Sequence, residues 1–160
     1  MNNYQKLKSA GFSLIEVVIT SAIISGVLIT IITSILTLNR HQDEIILKSK
    51  AGWLLMEGAE AMRLIRDSHW ALPLGDNYGL TWQENNWALI SEPEVVLDNF
   101  IRTIRIEEVY RDGSGTIAPS GEIAENSRKI TVSVTYPAGE TESQSQEISF
   151  YLINLFGENN

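Results

Sequence analysis

The chain reads as α+β, a long N-terminal α-helix followed by an antiparallel β-sheet, and three patterns lead to that class. Val17 to Leu38 runs for 22 residues without a charge or a proline. Leu47, Ala51, Leu54, Gly58, Ala61 and Ile65 then recur in steps of four and three, the spacing of one helical face. Towards the C-terminus, Ile130, Val132, Val134 and Tyr136 alternate with Thr131, Ser133 and Thr135. Ile148, Phe150 and Leu152 alternate in the same way with Ser149, Tyr151 and Ile153, as strands with one buried face do.

The uncharged run comes first. A helix rising about 1.5 Å per residue covers roughly 33 Å over that length, enough for a bilayer core. Its many β-branched residues are no obstacle there, because hydrocarbon forces the backbone to satisfy its own hydrogen bonds. Lys6 and Lys8 give it a basic leader like that of a secretory signal peptide. The apolar stretch is longer than a signal peptide needs, however, and no small-x-small cleavage site follows it. Arg40-His41-Gln42-Asp43-Glu44 reads as a membrane-exit flank. The segment is therefore expected to be retained. Charge counting leaves its orientation open, since Lys6 and Lys8 on one side nearly balance Arg40, Lys48 and Lys50 on the other.

Glu16 stands at the start of this run. A lone carboxylate in hydrocarbon costs a few kcal/mol unless it reaches the interface or meets a partner, although a helix N-terminus favours negative charge. The tract Gly11-Phe12-Ser13-Leu14-Ile15-Glu16 lies where basic leader gives way to apolar helix. Proteolysis after Gly11 would free an α-amino group at Phe12, one helical turn from Glu16 and titrating near a reference value of about 8.

Lys8-Ser9-Ala10-Gly11-Phe12-Ser13-Leu14-Ile15-Glu16 resembles the class III signal of bacterial type IV pilins and of the pseudopilins of type II secretion. The resemblance covers about the first third of the chain. It implies cleavage after Gly11 by a prepilin peptidase, N-methylation of Phe12, and pairing of Glu16 with the Phe12 amine during docking with other pilin subunits in a helical filament. It also implies an N-terminus on the cytoplasmic side and a head outside the cytoplasm. The subunit is then held in the bacterial inner membrane before it enters an extracytoplasmic filament. The pilin-like lollipop, a helical stem with a β-rich head, follows from the same resemblance. Many major pilins carry a proline midway along the hydrophobic helix and a C-terminal disulfide loop. Here the first proline is Pro73 and cysteine is absent, which points to a minor subunit.

The expected organisation is a cleaved leader over residues 1–11, a hydrophobic helix over 12–38, an amphipathic continuation over 39–66, and a β-rich head over 67–160. Pro73 and Gly75 close the helix. Leu80 to Trp82 and Trp87 to Ile90 flank a hairpin turn at Gln83-Glu84-Asn85-Asn86. Phe100 to Tyr110 forms a longer strand interrupted by Arg102 and Arg105, and Asp112 through Ser127 reads as a polar loop. The last two strands surround a turn at Pro137-Ala138-Gly139-Glu140. Gly52, Gly58, Ala59 and Ala61 are expected to make a narrow contact under the head, and Trp53, Trp70, Trp82 and Trp87 to pack in the core or against the helix.

Chemistry is sparse. The chain holds 12 basic and 20 acidic residues, a net charge of -8, so a surface for nucleic-acid phosphates is not expected. Loss of the leader removes Lys6 and Lys8 and takes the net charge to -10. His41 and His69 have no nucleophile motif beside them, and no phosphate-loop, dinucleotide or metalloprotease motif occurs. Asp112, Glu122 and Glu125 lack a diagnostic calcium spacing and read as a solvated acidic loop. The sequence thus predicts a structural subunit without catalytic residues, metal or cofactor. The competing class is a signal-anchored, single-pass membrane protein whose exported β-domain binds a ligand or partner.

Overall fold

The computed structural model describes residues 13–97, 99–138 and 142–154. Helix α1 covers Leu14–Ser68. Among the described residues seven strands follow: β1 (Gly75–Gln83), β2 (Asn86–Ile90), β3 (Glu94–Val96), β4 (Phe100–Arg111), β5 (Ile117–Ala118), β6 (Glu122–Pro137) and β7 (Ser143–Ile153). All strand pairings are antiparallel, in the order β2-β1-β4-β6-β7, with β3 and β5 each also paired to β4. The class is α+β, as the periodicities predict. The chain divides into two compact units, Met1–Asp43 and Glu44–Asn160.

Within the second unit, the predicted helical stripe is the buried one. Ala51, Leu54, Gly58, Ala61 and Ile65 are buried, joined by Leu55, Ala59 and Met62, while Leu47 is half-buried. They pack on the sheet face made by Phe100, Ile104 and Ile106 of β4, and by Ile130, Val132, Val134 and Tyr136 of β6. This contact is narrow because Gly58 lacks a side chain. A Cβ there would stand 2.9 Å from Val132 Cγ1 and 3.2 Å from Arg102 Cδ. Gly52, expected at the same contact, instead faces open space.

The other sheet face is polar. Thr131 and Ser149 lie opposite each other with their hydroxyls 2.8 Å apart, and Lys129 pairs with Glu107 at 3.0 Å. The β1–β2 hairpin closes through Glu84 and Asn85, whose φ values of 48° and 67° give a two-residue turn of the type that matches strand twist.

Three expectations need correction. The polar loop is shorter than predicted, because β6 begins at Glu122 and its first residues pair with the far end of β4, Ile123 opposite Tyr110. The register shifts between Glu108 and Tyr110, where residues 124–127 of β6 stand against Val109 alone. Pairing, not apolar alternation, makes this segment a strand. The short strands β3 and β5 were not anticipated. Trp53 and Trp82 are exposed instead of packed: Trp53 falls between the buried positions Ala51 and Leu54, and Trp82 sits near the tip of a hairpin, edge-on to Trp87. Gly139 and Glu140 of the predicted β6–β7 turn lie outside the described residues.

Candidate functional site: the apolar helix and its carboxylate

Ser13 immediately precedes helix α1, and its carbonyl accepts from Glu16 N at 2.9 Å and Val17 N at 3.2 Å. Glu16 falls in the first turn, exposed, where the unpaired backbone N–H groups favour a negative charge. Gly11 and Phe12, the other residues of the predicted processing and assembly site, lie outside the described residues. Glu16 is the only charged residue from Ser13 to Asn39.

The first part of the helix is long and apolar enough to cross a membrane, with a mean hydropathy of 2.4 over an 18-residue window in which no residue is buried. Most of its hydroxyls are turned inward to the backbone. Ser25 donates to Ser21 O at 2.7 Å, Thr30 to Gly26 O at 2.9 Å, Ser34 to Thr30 O at 2.8 Å and Thr37 to Thr33 O at 2.9 Å. Ser21 and Thr33 bond likewise to carbonyls one turn back. A hydroxyl satisfied in this way needs no water, so such a surface suits lipid or other helices. The sequence signal for this was present, because each donor has its acceptor three or four positions earlier.

Beyond Leu38 the helix changes chemistry. Lys48 donates to Glu44 at 2.7 Å, a bond that raises the Lys48 pKa above its ordinary value. Within the second unit, Arg102 is the one charged side chain among the described residues whose burial is nearly complete, at 1% exposure. Its Nε and Nη2 donate to Glu94 Oε2 at 3.0 and 2.6 Å, and its Nη1 donates to Glu57 Oε2 at 2.8 Å and to Leu54 O at 3.2 Å. The guanidinium also lies 5.9 Å from the centre of the Trp87 ring. In the sequence Arg102 reads as a break in an apolar strand, yet it alternates in phase with Phe100, Ile104 and Ile106. That phase was the signal that it points inward.

The remaining polar candidates are local structure. Ser68 donates to Ile65 O at 2.8 Å and lies 3.0 Å from His69 Nδ1 at the exposed end of the helix. Asp112 accepts from Ser114 N, Ser114 Oγ and Thr116 N at 2.9, 2.6 and 3.0 Å, closing its own turn. These bonds, the Ser114 hydroxyl first, hold its carboxyl below the ordinary value. Among the described residues, no three His, Asp or Glu side chains are grouped as metal ligands would be.

Among the described residues the geometry defines one apolar helix able to span a membrane and an antiparallel sheet packed on that helix's later, amphipathic part. Comparison with protein-family models, curated proteins and solved structures returned no match.

Proposed function

We propose that this chain is a structural subunit that is stored in a membrane and assembled through its apolar helix. More particularly, it acts as a minor pilin or pseudopilin of a type IV pilus-like filament. The observation that carries the reading is the placement of Glu16. It is the one charge on an apolar helical surface and lies in the first turn, next to a tract that resembles a prepilin cleavage signal.

In this reading, prepilin peptidase cuts after Gly11 at the cytoplasmic face of the inner membrane and methylates Phe12. The apolar helix then leaves lipid for the helices of neighbouring subunits. Lipid tails are as apolar as the helix itself, so exchange gains little from the hydrophobic effect and depends on packing and polar pairing. A Glu16 carboxylate meeting a Phe12 ammonium keeps both charges from standing alone in a dry core, where an unpaired charge costs several kcal/mol. The bonds that bury the helix hydroxyls leave its surface able to accept either environment.

Glu16→Ala tests the pairing. Membrane insertion and leader cleavage should persist, and incorporation into sheared filaments should fall at least tenfold. Incorporation at the level of the unaltered protein would contradict the proposed role.

A further inference from the structure

Strand β7 ends the sheet, and among the described residues no strand pairs with its outer side. Over its 11 residues, about half of the backbone N–H and C=O groups therefore face away from β6. Sheet edges are commonly blunted by proline, lysine or shortness. β7 has no proline and no lysine, and Glu147 is its only charge. The opposite edge, β2, is five residues long.

The helix-facing side of β7 is unfinished at the same place. Ile148 and Phe150 stand beside buried Val132 and Ile130, yet each is only half-buried. Next to Ile148 lies a groove of about 630 Å³, bordered on the helix by Gly52, Trp53 and Met56. Trp53 is 75% exposed and Met56 60%. A strand hydrogen-bonded to β7 would lie about 4.8 Å beyond it and send every second side chain to the helix side, over this groove.

We propose that β7 is a strand-addition site for an extended segment of another polypeptide. Alternate apolar side chains of that segment seat against Trp53, Met56 and Ile148. The side chains between them are basic, because they fall on the face where Glu147 alternates with Ile148. Charge argues against a second copy as the occupant: residues 44–160 carry 9 basic and 18 acidic side chains, so an identical unit is repelled where a basic segment is attracted. The edge and groove belong to one compact unit and stand whether or not the apolar helix serves a filament.

The test uses the full chain in zwitterionic detergent micelles and a ten-residue peptide of alternating valine and lysine. Hydrogen exchange is followed along β7, and binding of the peptide is titrated. The expected result is slowed exchange of β7 amides on peptide addition, with binding about tenfold weaker to the Trp53→Ala variant and lost when every peptide nitrogen is methylated. Absence of binding, or equal binding of the methylated peptide, overturns the proposal. So does protection of β7 without peptide: rising with protein concentration, it would show a second copy on the edge; released by deleting residues 155–160, it would show the chain's own tail there.

Discussion

Arg102 on β4 reaches Glu57 on helix α1 across 2.8 Å, while the β3–β4 register sets Glu94 directly opposite it. One buried guanidinium thereby ties three elements together, and its cost of burial is offset by the two carboxylates and the Leu54 carbonyl, Glu94 taking the larger share. Glu94 accepts two bonds and is 24% exposed, whereas Glu57 accepts one and is 48% exposed. Glu94→Ala should therefore destabilise by about 2–3 kcal/mol and Glu57→Ala by about 1 kcal/mol or less. Urea unfolding followed by tryptophan fluorescence measures both; equal losses would contradict this ranking.

Gly58 and Gly52 sit on one helix in opposite circumstances. Alanine is preferred to glycine in a helix by about 1 kcal/mol, so Gly52→Ala, with nothing within 4 Å of its Cβ, should stabilise by up to that amount. At Gly58 the same gain meets Val132 and the Arg102 stem, and overpacking of about 1–3 kcal/mol should win. Opposite shifts of the urea midpoint are expected. Stabilisation by Gly58→Ala would mean that the helix and sheet separate readily.

Much of this arrangement was legible beforehand. The four- and three-residue spacing from Leu47 to Ile65 identified the buried helix face, and the alternation from Ile130 to Tyr136 identified the sheet face that meets it. Harder to read was whatever depended on a partner distant in sequence. Glu122 to Ser127 carries no apolar alternation, and its strand partners are distant in sequence, β4 for Glu122 and Ile123 and β7 for Ser127. Arg102 needed the positions of Glu57 and Glu94 before its burial made sense. At the candidate site, Glu16 was visible as the single charge in an apolar run, whereas the open edge of β7 was not, since no pattern within a strand says which of its sides lacks a neighbour.

The Asp112 turn gives a pH dependence of definite sign. Its folded pKa is depressed, so the turn contributes stability above the unfolded value near 4 and loses it as pH falls through the lower folded value. Asp112→Asn should lower stability at neutral pH, leave it nearly unchanged at pH 2, and so flatten the acid limb of the profile. Chemical denaturation from pH 2 to 7 measures this. An unchanged acid limb in the variant would remove Asp112 as a contributor.

The central claim is that Phe12, not Met1, begins the working protein, so that an amine lies four residues before Glu16. Intact-mass and N-terminal peptide analysis of the chain co-expressed with a prepilin peptidase tests it most directly. Loss of residues 1–11 with one methyl group on Phe12 is the result predicted. A chain that keeps its leader beside an active peptidase would contradict the filament account and favour a simple membrane anchor.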